Sequence, residues 1–194
     1  MNPTEPIWKS YIVETTESIF SPKQCQMVIN KGMSLKKETA AVGMNRPEGG
    51  GVDTKKRITT ISWIPFKDMP EMYRDIEATM LKANNNHFGF DGMRLTEVAQ
   101  FTHYQKGSFY EWHMDNDVMG KHQPPVRKIS MTLLLSDPNT FEGGELEFMH
   151  KGKIAKLKQG QAIFFASWLQ HRVKPVTKGE RKSLVMWFGG PSFK

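Results

Sequence analysis

The sequence predicts an α+β fold with a mainly β core, organised as a sandwich or jelly roll. Two segments before residue 93 have the apolar spacing and end signals of helices, and eight short apolar segments, separated by glycine and proline, follow it. With 194 residues, 38% of them hydrophobic before glycine is counted, the chain has the size and composition of one globular domain. We therefore expect a single domain over 1–194. In it, residues 1–93 form helices, strands and a flexible loop, and residues 94–191 form the core.

Two helices are predicted in the N-terminal half. The first opens at Ser21, a capping residue followed by proline at the first helical position, and ends before Gly32. The second covers about 70–85, where the apolar residues recur at helical spacing. These residues are Met72, Ile76 and Met80. We expect both helices to pack on the outer face of one sheet.

Strands and one long loop account for most of the remaining chain. Tyr11–Glu14 and Arg57–Trp63 are predicted strands of the N-terminal half. Residues 36–57 contain three consecutive glycines and almost no apolar periodicity, which predicts a long mobile loop. The predicted core strands are Leu95–Tyr104, Phe109–Met114, Lys128–Ser136, Glu145–Met149, Ile154–Leu157, Ala162–Ala166, His171–Val176 and Ser183–Phe188.

Charge and cysteine content limit the classes of protein that the chain can belong to. Lysine and arginine (27) exceed aspartate and glutamate (20), which gives a net charge of +7 and favours an acidic or nucleic-acid partner. The individual basic clusters, Lys55–Arg57 among them, are interpreted as solvated faces. Residues 1–20 lack the apolar core of a signal peptide, and no apolar stretch is long enough for a membrane span. Cys25 is the single cysteine, so we expect no intrachain disulfide and a cytoplasmic location.

His113 and Asp115 are the most informative pair of residues. They lie two positions apart at the end of a predicted strand, so both side chains point to the same face. His171 lies on another predicted strand. Two histidines and one carboxylate form the facial triad of non-haem Fe(II) oxygenases, which leaves three coordination positions open. His113, Asp115 and His171 are therefore candidate metal ligands, and the alternative is that the histidines are ordinary surface or hydrogen-bonded residues.

Arg181 follows the second histidine by ten residues and supports this interpretation. Its planar, permanently charged guanidinium suits a carboxylate, so it is a candidate anchor for a dicarboxylic acid. Ser183 lies on the same strand face and can donate a second hydrogen bond to that group. Trp187, four residues further on, is a candidate wall of the same pocket.

The sequence resembles Fe(II)- and 2-oxoglutarate-dependent dioxygenases, specifically the prolyl 4-hydroxylase-like (PKHD-type) branch. Five segments carry the resemblance, in the family's order: YQKGSFYEWHMD (104–115), FEGGELEF (141–148), GQAIF (160–164), HRVKPV (171–176) and RKSLVMW (181–187). The resemblance implies a double-stranded β-helix core, iron bound by the three predicted ligands, and Arg181 on the distal carboxylate of 2-oxoglutarate. It also implies that Tyr104 helps to hold this co-substrate.

The resemblance further implies a reaction and a substrate class. O2 and 2-oxoglutarate are consumed, succinate and CO2 are released, ascorbate supports activity, and a C–H bond is hydroxylated. The substrate implied is a prolyl residue in a peptide or protein. No catalytic residue is expected beyond the metal centre. The alternatives are an AlkB-like nucleic-acid demethylase, a zinc hydrolase using the same three ligands, and a non-enzymatic jelly-roll binding module.

Tyr110 and two loops complete the expected site. Tyr110 matches the family pattern, but strand alternation from His113 points it away from the metal unless a bulge or the strand end re-aims it. The predicted strand at 128–136 has no tyrosine facing the co-substrate, unlike some relatives. Residues 36–57 and 116–128 are expected to close over the bound substrate.

Overall fold

A computed structural model of the protein describes residues 10–40, 51–116 and 123–193. Two α-helices lie in the N-terminal half: α1 (Pro22–Ser34) and α2 (Pro70–Ala83), the latter continued by a π-helical turn (Asn84–Phe88). The first turn of α1 has a full capping box. The Ser21 hydroxyl accepts from the Gln24 backbone N–H, and the Gln24 side chain accepts from the Ser21 backbone N–H.

Strands make up the rest of the regular structure. They are β1 (Ile12–Glu14), β2 (Glu38–Thr39), β3 (Arg57–Ile58), β4 (Thr60–Ile64), β5 (Arg94–Leu95), β6 (Ala99–Tyr104), β7 (Phe109–His113), β8 (Val126–Leu134), β9 (Glu142–Gly143), β10 (Leu146–Phe148), β11 (Ala162–Ala166), β12 (His171–Val173), β13 (Val176–Lys178) and β14 (Arg181–Gly190). Short 3-10 turns occur at Phe66–Asp68, Pro138–Thr140 and His150–Gly152.

Two sheets form the double-stranded β-helix that the sequence predicts. The large sheet has the order β1-β11-β8-β14-β6-β4-β2, with β5 also paired to β14. The small sheet has the order β10-β12-β7-β3, and β9 pairs with β13. All of the strand pairs within both sheets are antiparallel. The α+β jelly roll expected from the sequence is therefore confirmed.

Alternation along the strands of the large sheet separates its two faces. On β14, Leu184 and Met186 point to the helices, where they pack with Ile76 of α2 and Val28 of α1 in the main apolar core. The alternate residues of the strand point to the space between the two sheets. That inner face carries the polar side chains Arg181 and Ser183, Thr102 and Gln100, and the indole of Trp187. Polar groups therefore line part of the space between the sheets, beside a smaller apolar cluster that includes Phe148, Phe165 and Val173, and the main hydrophobic core lies on the helix side of the large sheet.

The first helix extends past the glycine that was expected to end it. Gly32 lies inside α1 and is buried against the Phe101 ring of β6. The contact is so close that a β-carbon at this position would lie 2.2 Å from the ring. The glycine is needed for close helix–sheet packing and does not act as a stop signal. Cys25 of the same helix is fully buried, and burial raises the pKa of its thiol to about 11. It is a small core residue, as expected from the sequence.

We expect Gly32→Ala to lower the free energy of unfolding by about 1–3 kcal/mol, because the added methyl group must displace the Phe101 ring. The loss arises even though alanine has the higher helix propensity. Urea denaturation of the two proteins measures it. Gly51→Ala is the matched control, since no atom of the described residues lies within 4 Å of its β-carbon position. An unchanged or raised stability for Gly32→Ala would show that the ring moves without cost.

The predicted strand Arg57–Trp63 divides at Thr59, where the chain crosses from one sheet to the other. β3 pairs with β7 in the small sheet, whereas β4 pairs with β6 in the large sheet. The buried Thr59 hydroxyl donates to the carbonyl of His103 (2.8 Å) and replaces the strand ladder at the crossing. This crossing places Arg57 next to Tyr110 of the small sheet.

Three other predicted strands differ from the structure. Leu95–Tyr104 is two strands, because residues 96–98 leave the ladder between β5 and β6. His171–Val176 divides at Pro175, which has no N–H to donate, and its two parts pair with different strands. Ile154–Leu157 forms only one bridge, between Ile154 and Glu147. The other five predicted core strands are confirmed to within two residues at each end: β8 is shifted by two residues toward the N-terminus, and β14 extends two residues further at both ends.

The loop predicted at 36–57 is shorter than expected. Glu38–Thr39 forms β2 against β4, and β3 begins at Arg57, so both ends of the segment belong to sheets. Residues 41–50 of the first loop, which include Gly49 and Gly50, and residues 117–122 of the second loop lie outside the described residues, whereas Gly51 is described. Within the described residues, no helix has the length and apolar character needed to cross a membrane.

Candidate metal centre

The small sheet brings the three predicted metal ligands together. His113 ends β7 and His171 begins β12, and the two residues are direct cross-strand partners. Asp115 follows β7, where its backbone N–H and that of Asn116 both donate to the Ser167 carbonyl. One donor atom from each of the three ligands lies within 4.8 Å of the others. The arrangement has the size of a mononuclear metal site.

Backbone carbonyls orient both imidazoles. The Nδ1 atom of His113 lies 2.8 Å from the Glu111 carbonyl oxygen, and Nδ1 of His171 lies 2.9 Å from that of Leu169. A carbonyl only accepts, so each Nδ1 carries the proton and each Nε2 has a free lone pair. Both Nε2 atoms lie 3.7 Å from an oxygen of Asp115. The three donors therefore converge on one point.

The protonation states also suit a metal. Burial, reinforced by the neighbouring His171, lowers the pKa of His113 to about 3, so its imidazole is neutral. Burial acts to raise the pKa of Asp115, but the two histidines and the Ser130 hydroxyl outweigh it and lower the pKa below its usual value. Two histidines and one carboxylate with open positions form the donor set of a non-haem Fe(II) centre.

Arg181 lies across the interior, at the start of β14. It is 3% exposed, and burial lowers the pKa of its guanidinium. Its Nη1 donates to the Ser183 hydroxyl (3.0 Å), and its guanidinium carbon lies 5.5 Å from the centroid of the Tyr104 ring. Within residues 10–40, 51–116 and 123–193 the structure describes no ion pair for Arg181. A buried cation with unused N–H donors is suited to an anionic ligand.

Tyr110 faces the metal ligands, because a bulge changes the register of β7. His171 pairs with His113 and Val173 pairs with Tyr110, so two steps along β12 correspond to three along β7. The Tyr110 ring consequently stacks on His113, with centroids 3.5 Å apart and planes 13° apart. Burial raises the pKa of Tyr110 to about 12, so its hydroxyl stays protonated. Simple alternation does not hold here, and the bulge gives Tyr110 a place in the site.

Trp187 and Arg127 lie together on neighbouring strands of the large sheet. The Trp187 ring is buried on the inner face of β14, with the Arg127 guanidinium carbon 4.1 Å from its centroid. Arg127 in turn forms a two-pronged ion pair with Glu97. Trp187 was expected at a pocket wall from the sequence, but Arg127 was not. No sequence signal distinguishes Arg127 from other strand arginines, because its partner Glu97 lies 30 residues away.

Arg57 is a second residue that sequence reasoning missed. The cluster Lys55–Arg57 was interpreted as a solvated face, yet Arg57 is 7% exposed, and its guanidinium lies over the Tyr110 ring. The crossing at Thr59 turns this end of the cluster inward. The interpretation of the basic cluster was wrong for Arg57, since only its neighbours Lys55 and Lys56 are exposed.

Comparison with known proteins gives a consistent family. The sequence profile described as the 2OG-Fe(II) oxygenase superfamily matches residues 99–189. A PKHD-type hydroxylase of Hyphomonas neptunium is 44% identical over 85 residues, covering 42% of this chain and 38% of its own length. A PKHD-type hydroxylase of Teredinibacter turnerae is 38% identical over 147 residues, 72% of this chain and 65% of its own length.

One solved structure extends the comparison to the fold. A viral collagen prolyl hydroxylase from Paramecium bursaria Chlorella virus-1, in complex with 2-oxoglutarate, has a TM-score of 0.72. The alignment covers 93% of this chain and 97% of that one at 22% identity. At this level of identity, the agreement with the viral enzyme concerns the architecture. For the Hyphomonas relative, the aligned segment of this chain spans only 38% of that protein's length.

Proposed function

Because the chain belongs to the 2OG-Fe(II) oxygenase superfamily, we propose that it is an Fe(II)- and 2-oxoglutarate-dependent dioxygenase that hydroxylates a prolyl residue of a peptide or protein. One observation carries the proposal. The iron-type donor set of His113, Asp115 and His171 shares the barrel interior with Arg181, a buried arginine that forms no ion pair among the described residues. A metal centre and a carboxylate receptor are the two parts that this reaction requires.

The three ligand residues would hold the ferrous ion, and Arg181, Ser183 and Tyr104 would hold the distal carboxylate of 2-oxoglutarate. When bound, the metal, the co-substrate and O2 supply the oxidation of a C–H bond, with release of succinate and CO2. Arg181 fixes the co-substrate by a charge-assisted fork, which its bond to Ser183 pre-orients. Both imidazoles keep Nε2 free because their Nδ1 protons are bound to carbonyl oxygens.

Tyr110 and Trp187 would form the walls for the substrate. The Tyr110 ring stacks on His113 and the buried Trp187 ring lies on the inner face of β14, so the two would supply the apolar, water-poor surface that a prolyl ring requires. The names of the curated relatives support a hydroxylation reaction. The name of the viral collagen prolyl hydroxylase supports a prolyl substrate. Ascorbate, as a reductant, would support repeated turnover, and the single buried thiol fits a cytoplasmic enzyme.

The proposal is tested by loading the protein anaerobically with Fe(II) and 2-oxoglutarate, with and without ascorbate, and admitting air in the presence of a prolyl peptide library. We expect succinate in the presence of 2-oxoglutarate and, by mass spectrometry, one added oxygen on proline. A sample without 2-oxoglutarate is the control. Oxidation of methylated bases in single-stranded nucleic acid would favour the demethylase instead. Hydrolysis with Zn²⁺ and without O2 would favour the hydrolase.

A further inference from the structure

Four arginines on the strands around the proposed site differ in their partners. Arg127 pairs with Glu97, and Arg172 pairs with Glu147 at 2.7 Å. Arg57 and Arg181 are buried more deeply, at 7% and 3% exposure, yet neither forms an ion pair in the part of the chain that the structure describes. Burying an unpaired charge is costly, so such a residue is matched to an anion from outside the chain. Arg181 has 2-oxoglutarate as its proposed anion, whereas Arg57 has none.

The contacts of Arg57 place its guanidinium between the two sheets. Its strand belongs to the small sheet, while its Nη2 donates to Oε1 of Gln100 on β6 of the large sheet (2.9 Å). Its guanidinium carbon lies 4.4 Å from the centroid of the Tyr110 ring, which itself stacks on His113. Arg57 is therefore one aromatic ring away from a metal ligand.

The same space contains buried polar atoms that lack hydrogen-bond partners. Within the described residues these include Nε of Arg57, Nε1 of Trp187 and Oγ1 of Thr102. Thr102 and Trp187 lie on the inner faces of β6 and β14. The centroid of the Trp187 ring lies 6.3 Å from that of Trp63, and Trp63 is the cross-strand partner of Gln100, which binds Arg57. All three atoms carry a hydrogen that needs an acceptor. The interior is thus suited to a ligand rich in acceptor oxygens.

The charge balance identifies which kind of acceptor is missing. With the proposed ligands bound, the two charges of the ferrous ion and the charge of Arg181 are matched by Asp115 and the two carboxylates of 2-oxoglutarate. The charge of Arg57 is then left without an anion among the described residues. One further carboxylate would balance it, and the substrate is the remaining component of the reaction.

We propose that Arg57 binds a carboxylate of the substrate, so that the protein prefers prolyl substrates whose neighbouring residues are acidic. This inference rests on the proposed function for the bound iron and 2-oxoglutarate in its charge balance, and for the prolyl part of the substrate. The carboxylate would replace water on the Nε side of the fork, while Gln100 holds Nη2 in place. Arg57 would act as a specificity-determining residue, and the metal and the co-substrate would be held by other side chains.

Four blocked tripeptides test the carboxylate site at Arg57 separately from the prolyl substrate. They are acetyl-Glu-Pro-Glu-amide, its Gln-flanked counterpart, and the same pair with alanine in place of proline. Binding to the full chain, loaded with Mn(II) and 2-oxoglutarate, is measured by calorimetry without turnover. We expect the Glu-Pro-Glu peptide to bind about tenfold or more tightly than the Gln peptide, because a charged hydrogen bond is added. In Arg57→Gln the two affinities should become equal, and Arg57→Lys should restore part of the difference.

Arg172→Gln is the matched control, because it removes an arginine from the same sheet that already has a carboxylate partner. It should keep the preference for glutamate, which excludes a general effect of net charge. Gln100→Glu is a second, nearly isosteric test. It gives Arg57 a carboxylate at the position of the present 2.9 Å hydrogen bond. We expect this variant to lose the preference although Arg57 is retained.

Failure of the carboxylate site at Arg57 and failure of the prolyl substrate give different results. Equal binding of the Glu and Gln peptides to the unmodified protein, or no binding of either Glu peptide, overturns the role of Arg57. A loss of 2-oxoglutarate affinity in Arg57→Gln equal to that for the Glu peptide assigns Arg57 to the co-substrate and also overturns it. Equal binding of the Pro and Ala peptides contradicts only the prolyl substrate. In that case a preference for glutamate that disappears in Arg57→Gln still supports the carboxylate site.

Discussion

Alanine at His113, Asp115 or His171 is expected to abolish 2-oxoglutarate turnover while the protein stays folded. Changes to residues that merely orient a metal ligand cost about 10–100-fold in metal affinity or activity, so removing a ligand itself should cost more than about 100-fold. The fold should survive because the backbone ladder between β7 and β12 does not depend on these side chains. Succinate release measures turnover, and Mn(II) titration measures the site directly.

His150→Ala is the control for these three variants, since His150 is exposed and outside the cluster. It should keep both activity and metal affinity. Circular dichroism and thermal melting of each variant verify that the loss is local. Near-normal succinate production by any one of the three variants would remove that residue from the metal site.

Arg181→Ala is expected to weaken 2-oxoglutarate binding by about ten- to a hundredfold. The variant loses charge-assisted hydrogen bonds to a buried carboxylate, which contribute roughly 1.5–3 kcal/mol. Arg181→Lys restores the charge without the planar fork, so it should recover only part of the affinity. The Michaelis constant for 2-oxoglutarate, and calorimetry with Mn(II) in place of iron, measure the effect.

Arg172→Ala serves as the comparison for Arg181, because Arg172 is half-buried and already paired with Glu147. Its affinity for 2-oxoglutarate should not change. If Arg181→Ala has the same Michaelis constant as the unmodified protein, the co-substrate carboxylate binds elsewhere. A fall in the turnover number alone would also contradict the assignment, since the proposed role of Arg181 is in binding.

Local patterns predicted the parts of the structure that depend on neighbours in the chain. The helix start at Ser21, the period of the second helix and the strand Ala162–Ala166 follow from side chains within a few residues of one another. His113 and Asp115 converge as strand alternation predicts, although Asp115 lies just past the end of β7. His171 and Arg181 were assigned to the same site from their side-chain chemistry and from the family resemblance. Their distance along the chain does not by itself show that they lie near His113 and Asp115.

Long-range pairing decided the remaining features. The bulge in β7 that turns Tyr110 toward His113 is a register shift against β12, so it depends on a strand about 60 residues away. Gly32 reads as a helix stop until the ring of Phe101 is packed against it. Pairing between distant strands leaves no periodic trace in either segment, which is why these positions were predicted wrongly or left open.

The sequence by itself determined the fold class, the two helices, most core strands and the residue types of the metal centre, because these depend on periodicity and on donor chemistry. Only the tertiary structure decided which charges lie inside the barrel. Arg57 belongs to a basic cluster that is solvated at Lys55 and Lys56, and it turns inward because the chain crosses between sheets at Thr59. The burial of a charge is a property of the assembled sheets, so no local pattern distinguishes Arg57 from its exposed neighbours.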